Sequence, residues 1–215
     1  MSLKLYYHPL SSFCMKALIA LYETGTPFEP QIVNLMDARE RTDFIALWPI
    51  GKFPVLRDEA KGRTVPESSV IIEYLARHYP GVTRFIPADP DEAREMRLRD
   101  RVLDLYLHMP MQKVVTDKLR PEGKNDPFGV EEAREKIRTT LGILETDIAG
   151  KTWAMGDAFT MADCAAAPPL FYVDKIMPFR ETHPLSAAYF DRLTARPSFA
   201  RVLAEAEPYF KMFPG

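Results

Sequence analysis

Cysteine is almost missing from this 215-residue sequence: Cys14 and Cys164 are the only two. Two thiols are too few for a disulfide framework and fit a reducing compartment. Neither has neighbours at metal-ligand spacing. The four histidines, His8, His78, His108 and His183, are scattered, and no H-x-x-x-H or C-x-x-C pair occurs, so no metal site is expected. An excess of one charge is missing too. Against 28 Lys and Arg stand 30 Asp and Glu, a formal net charge of -2, which leaves no electrostatic footprint for nucleic acid or an anionic membrane. No apolar run nears the ~18 residues that cross a bilayer. Met1-Ser2-Leu3-Lys4-Leu5 has no basic segment of the kind that opens a secretory leader. These absences lead to the expectation of a soluble, cytoplasmic protein that binds neither nucleic acid nor membrane. The remainder is an ordinary globular balance, 47% hydrophobic and 27% charged, long enough to bury a sizeable core.

The pattern along the chain changes once. Leu3 to Tyr7 reads as a strand, and His8-Pro9-Leu10-Ser11-Ser12 breaks it and offers hydroxyls to cap a helix from Phe13 to Thr24, which Gly25-Thr26-Pro27 ends. Phe28 to Leu35 reads as a second strand and Ala38 to Leu47 as a short helix. Val55-Leu56-Arg57 and Arg63-Thr64-Val65 form a hairpin, and Glu67 to His78 a helix with Val70, Ile71, Tyr74 and Leu75 on its apolar face. The β-α-β unit implies a parallel pair with a right-handed crossover, and the hairpin makes the sheet mixed and four-stranded. After Pro80-Gly81 the strand signal ends. The expected helices are Glu92 to Leu119, interrupted near Pro110, then Val130 to Ala149, Thr160 to Ile176, Leu185 to Ala195 and Ser198 to Glu207. The expected organisation is an α/β domain over residues 1–80, a linker over 81–90 and an all-helical domain over 91–215, with a cleft between them.

Two places carry chemistry. Lys52-Phe53-Pro54-Val55-Leu56 puts a proline where a buried strand begins, and a proline cannot donate to a ladder. A cis bond there turns the backbone of Phe53 out of the sheet, free to pair with a ligand. Glu67-Ser68 follows at a helix start, where a carboxylate and a hydroxyl can grip an amino-acid head group; ordinary capping is the competing reading. Ser11-Ser12-Phe13-Cys14 has the spacing of a C-x-x-C redox motif with serine in its first position. What survives is a hydroxyl at a helix N-terminus, which stabilises a negatively charged group such as a ligand thiolate. Ser11 and Ser12 can each supply it, and the Tyr7 phenol competes. Cys14 reads as a small buried hydrophobe. Tyr106, Met109 and Met111 near Pro110, and Phe171 with Tyr172, are candidates for an apolar pocket or for core. Arg94, Arg97 and Arg101 form a stripe that is either solvated or a dimer contact. Phe159-Thr160-Met161-Ala162-Asp163-Cys164 reads as a capping box.

Taken in order, Ser11-Ser12-Phe13-Cys14, Gly51-Lys52-Phe53-Pro54-Val55-Leu56, Pro66-Glu67-Ser68, Phe159-Thr160-Met161-Ala162-Asp163 and Arg196-Pro197-Ser198-Phe199 make the chain resemble a cytosolic glutathione S-transferase of the serine type over nearly its whole length. The resemblance implies a thioredoxin-like N-terminal domain that binds glutathione as co-substrate, and an all-α C-terminal domain that helps bind a small apolar electrophile. It also implies a homodimer. By position, Ser11 falls where serine-type members stabilise the thiolate. Phe53, before the expected cis Pro54, pairs with the cysteinyl part, Glu67 and Ser68 hold the γ-glutamyl end, and Lys52 meets the glycyl carboxylate. Phe53 stands where Val or Ile is common, Trp48-Pro49 where Asn-Pro is frequent, and Tyr7 lies in the register of tyrosine-type members. A glutathione-dependent isomerase, dehalogenase or peroxidase, or a non-catalytic binding protein, are the rival readings on the same scaffold.

Overall fold

The computed structural model describes residues 2–214; Met1 and Gly215, which the expected segments include, lie outside them. Strand β1 (Leu3–Tyr7) alternates as its pattern requires, with Leu3, Leu5 and Tyr7 on the buried face. Helix α1 (Ser12–Thr24) begins at Ser11, whose side chain accepts from the Cys14 amide, and ends at Gly25, where φ is 65°, the left-handed stop that glycine adopts without a Cβ clash. The run from Cys14 to Leu21 is entirely buried, so α1 is a core helix. Strand β2 (Glu29–Ile32) pairs parallel to β1. It is shorter than the span read from sequence. It contains Pro30, which an edge strand tolerates, and β2 is an edge: the sheet order is β2-β1-β3-β4. Helix α2 (Ala38–Leu47) is capped by Asp37. Strands β3 (Val55–Asp58) and β4 (Arg63–Pro66) form the antiparallel hairpin, with β3 antiparallel to β1. Helix α3 (Ser68–His78) follows. The mixed four-stranded sheet of an α/β, thioredoxin-like unit is as expected.

The rest is helical. Helix α4 (Pro90–Val102) starts at an Asp89 cap with Pro90 in its first turn, where the missing N–H costs nothing. It runs into a π-helical segment, Leu103–His108, and then α5 (Met109–Asp117). The interruption expected near Pro110 therefore lies on its N-terminal side. A proline cannot serve the carbonyl four residues back, and the rod widens there: the Tyr106 carbonyl has Thr140 Oγ1 at 2.9 Å, a hydroxyl that also lies 2.8 Å from the Lys136 carbonyl. Helix α6 (Pro127–Asp147) starts three residues before the sequence reading, because Asp126 caps it through the Gly129 amide. Helix α7 (Met161–Ile176) carries the expected capping box between Thr160 and Asp163. Helices α8 (Pro184–Ala195) and α9 (Pro197–Ala206) and a 3-10 turn, Glu207–Met212, complete the chain.

One apolar core joins both halves, with α1 packed against α3 on one side and α7 and α9 on the other. Two polar clusters pin that contact. The Glu23 carboxylate receives both Arg196 Nε and Nη2 at 2.7 Å, Ser198 Oγ at 2.5 Å and Thr83 Oγ1 at 2.6 Å. Lys16, fully buried in α1, reaches Asp100 at 2.6 Å and Asp104 at 2.7 Å. A buried cation needs such partners, since its desolvation otherwise costs several kcal/mol.

Candidate functional site

The start of α1 is built by two local contacts and one from α7. The Ser11 amide bonds to the His8 carbonyl at 2.9 Å, and Tyr172, from α7, donates its hydroxyl to the Leu10 carbonyl at 2.7 Å. Ser11 Oγ accepts from the Cys14 amide at 3.4 Å. Accepting that bond leaves the Ser11 O–H as a donor for something else. Ser11 is half-buried and lines a cavity of about 320 Å³ together with His8, Leu10, Phe53, Met111 and Tyr172. The cavity is completed by Val115 of α5, Leu119 just after it, Met212 at the end of the 3-10 turn and Phe213 after it. Phe213 stacks on Tyr172 with ring centroids 5.3 Å apart.

A second, more polar cavity of about 170 Å³ lies on the other side of Phe53. Lys52, Phe53, Pro54, Glu67 and Ser68 line it from the α/β half, and Arg101, Asp104 and Met109 from the helical half. The Phe53–Pro54 bond is cis, and among the described residues the Phe53 amide and carbonyl have no protein partner. Glu67 has φ 68°, the one positive value at a non-glycine position among the described residues. Backbone there is strained by about 1–3 kcal/mol and clusters at ligand sites. Glu67 makes no side-chain capping bond, so simple helix capping does not account for it, and its carboxylate is exposed to the cavity. The adjacent Asp104 carboxylate is pushed up by burial, but Lys16 and His108 outweigh this and hold it below the usual carboxylate range. With Arg101 Nη2 at 2.7 Å from Asp104, the cavity is lined by side chains of both signs of charge.

The structure thus brings Lys52, Phe53, Pro54, Glu67, Ser68 and Met109 to one cavity and Ser11, Ser12 and Met111 to the next, with Phe53 bordering both. Three candidates fall elsewhere. Tyr7 lines neither cavity. Strand alternation puts it with Leu3 and Leu5 on the core face, where burial, with Glu205 and Tyr209 nearby, pushes its phenol up to about 12. Tyr106 is exposed and borders a groove against α6, with Glu132 and Ile143. Phe171 packs edge-on to Tyr172 and Phe199 and under Lys175. The helical period shows which residues share a face, not which neighbour that face meets. Burial pushes the Cys14 thiol up to about 12, so it stays protonated and unreactive.

Sequence reasoning missed His108, Asp104 and the pairing of the exposed Arg101 with Asp104. Asp100, Asp104 and His108 recur every fourth residue inside a largely apolar stretch, and titratable groups at that spacing on one buried face are the signal that points to them. His108 is fully buried, hydrogen-bonded to Ser12 Oγ through Nε2, and stacked on Phe13 with centroids 3.7 Å apart.

The family model of the glutathione S-transferase N-terminal domain matches residues 5–83, and that of the C-terminal domain matches residues 127–204. Glutathione S-transferase 3 of Zea mays is 31% identical over 210 residues, 94% of this chain and 93% of that protein. Among solved structures, a glutathione S-transferase of Methylobacillus flagellatus with glutathione bound superposes with a TM-score of 0.85 at 26% identity, covering 94% of this chain and 98% of that one. One from Methylobacterium radiotolerans, in complex with glutathione sulfonate, gives 0.82 at 30% identity, with 93% of each chain covered.

Proposed function

The chain belongs to the glutathione S-transferase family, and from that premise we propose that it is a glutathione transferase in which Ser11 stabilises the thiolate of bound glutathione for attack on a small apolar electrophile. The observation that carries this reading is that a polar cavity and an apolar one meet at Phe53, so a tripeptide in the first presents its middle residue to the second. The unpartnered Phe53 backbone pairs with the cysteinyl unit in the manner of a strand edge. Glu67 takes the γ-glutamyl ammonium, Ser68 and the N-terminus of α3 take its carboxylate, and Lys52 takes the glycyl carboxylate.

The sulfur then lies at the start of α1. A hydrogen bond to a charged group contributes roughly 1.5–3 kcal/mol, and one pKa unit corresponds to about 1.4 kcal/mol. The Ser11 hydroxyl therefore lowers the thiol pKa by about one to two units from its usual ~8.5, and a large part of the bound thiol is ionised at neutral pH. The chain forms no covalent bond to substrate: it positions the thiolate, holds the electrophile in the 320 Å³ cavity and excludes water. The site chemistry needs glutathione and no metal. The organisation proposed with it is a glutathione-binding domain over 1–80, a linker over 81–90 and a substrate-binding domain over 91–215, working as a cytoplasmic homodimer.

Calorimetry with glutathione and a panel of electrophiles tests the assignment. Saturable binding, with turnover of at least one apolar electrophile, is expected. Absence of glutathione binding by the wild-type protein overturns the reading.

A further inference from the structure

Ser11 and Ser12 are adjacent and border the same cavity, yet their surroundings differ in kind. Ser11 is half-buried, and its oxygen already accepts from the Cys14 amide. Ser12 is 4% exposed and meets His108 Nε2 from the helical half, 96 residues away in sequence. The other ring nitrogen, Nδ1, lies 3.8 Å from Asp104 Oδ1. Both of these atoms are buried and without a hydrogen-bond partner among the described residues.

We propose that His108 is a positioning residue that captures the Ser12 hydroxyl proton, leaving Ser11 as the single hydroxyl of the pair that can donate to the glutathione sulfur. This deepens the glutathione-transferase reading and rests on it for the identity of the ligand. The argument starts from the tautomer. A neutral imidazole carries its proton on one nitrogen. A carboxylate 3.8 Å from Nδ1 attracts an N–H there and repels a lone pair, so the proton belongs on Nδ1 and the lone pair on Nε2. A lone pair facing Ser12 Oγ makes a hydrogen bond only if the hydroxyl donates. The stack on Phe13, with ring planes 11° apart, holds the imidazole so that Nε2 keeps its direction.

The charges around the ring favour the neutral form. Lys16 of α1 and Arg101 of α4 face Asp100 and Asp104, and Ser69 of α3 bridges Lys16 and Asp100. Two cations and two carboxylates balance. A proton on His108 adds a positive charge to a ring that is itself fully buried, and burial lowers the affinity of the ring for that proton, opposing Asp104. The same balance argues against a relay that stores the thiol proton on His108. The role of the ring is to orient, not to titrate.

Two measurements test the proposal. In the ligand-free protein, nitrogen-15 correlation spectra of the His108 ring are expected to show Nδ1 protonated and Nε2 bare at neutral pH, with the Nε2 resonance moving in Ser12→Ala. A protonated Nε2, in either the other tautomer or an imidazolium, overturns the proposal whether or not glutathione binds. The second follows thiolate absorbance of bound glutathione against pH. Ser11→Ala is expected to raise the thiol pKa by about one to two units, and Ser12→Ala to move it far less. Adding His108→Phe, which keeps a ring against Phe13 but offers no acceptor, frees the Ser12 hydroxyl and recovers part of the Ser11→Ala loss. Adding His108→Gln, whose amide oxygen still accepts, does not. Equal shifts from Ser11→Ala and Ser12→Ala overturn the proposal. A wild-type protein that binds no glutathione overturns the functional reading, and the ring tautomer still decides whether Ser12 is committed to His108.

Discussion

Thr140 Oγ1 lies 2.9 Å from the Tyr106 carbonyl, the one that Pro110 leaves without an amide four residues on, and shares its single proton between that oxygen and the Lys136 carbonyl of its own helix at 2.8 Å. In a regular helix the amide four residues on would serve Tyr106; Pro110 has none. Thr140 is buried in α6 and so fastens α6 to the rod that carries Met109, Met111 and His108. Thr140→Val is expected to lower stability by about 1 kcal/mol, the usual net worth of such a bond. In a Pro110→Ala background the new amide can serve Tyr106, and the same substitution is expected to cost less. Urea titration of the two singles and the double gives the coupling. An unchanged cost in both backgrounds means the proline is not the reason for the bond.

Removing the Ser11 hydroxyl has a signature in pH. The thiolate reacts and the thiol does not, so the rate rises with pH until the bound thiol is ionised. Ser11→Ala is expected to shift that titration up by about one to two units, to ~8.5, which lowers the thiolate fraction and with it kcat/KM at pH 7 by about 8- to 25-fold. Well above the shifted pKa, the variant and wild type are expected to converge. A pH–rate profile with a non-ionising electrophile checks this. A constant ratio at all pH values means Ser11 acts in some way other than thiolate stabilisation.

Glu67 offers a trade between stability and binding. Its φ of 68° is unfavourable for any residue with a Cβ, and glycine relieves that strain at some cost in chain entropy. Glu67→Gly is expected to be more stable than Glu67→Ala by about 1 kcal/mol, while both bind glutathione at least tenfold more weakly than wild type through loss of one charge-assisted contact. Thermal melts paired with calorimetry separate the two effects. If Glu67→Ala matches Glu67→Gly in stability, the backbone there carries no strain worth relieving.

Features fixed within a few residues could be read from the chain. Strand β1 and helix α2 have the bounds that alternation and caps imply, and the Thr160–Asp163 capping box is where its spacing puts it. The cis bond at Pro54 and the helix start at Glu67-Ser68 were visible for the same reason: each needs a particular residue at a particular turn. Features that depend on distant packing were not visible. Tyr106, near the kink, and Phe171, in a later helix, read as candidates for a pocket or for core because they are large and apolar, and the helix faces they occupy meet α6 and α9. His108 has no legible role in the sequence because its partner, Ser12, is 96 residues earlier. The kink itself is legible, yet its form, a π-helical segment ahead of Pro110 with Thr140 of α6 against the Tyr106 carbonyl, involves a residue far along the chain.

Glu23 ties α1 to the segment after α3 through Thr83 and to the start of α9 through Arg196 and Ser198. Burial pushes its carboxyl up, but the bonds from Arg196, Ser198 and Thr83 prevail, and its pKa lies below the ordinary glutamate value. A carboxylate depressed in the folded state stabilises that state fully above the unfolded pKa of ~4.3, and the contribution is lost as pH falls through the folded pKa. Glu23→Gln keeps the shape and removes the charge. With Arg196 only partly buried, the loss at pH 7 is expected to be about 2 kcal/mol, below the range for a fully buried pair. The stability difference between wild type and Glu23→Gln should then hold constant from pH 7 to about pH 5 and shrink below about pH 4, as protonation of Glu23 makes the two proteins alike. Urea titrations across that range measure it directly. A difference that persists undiminished at pH 3 assigns the effect to packing at the α1–α9 contact and not to the Glu23 charge.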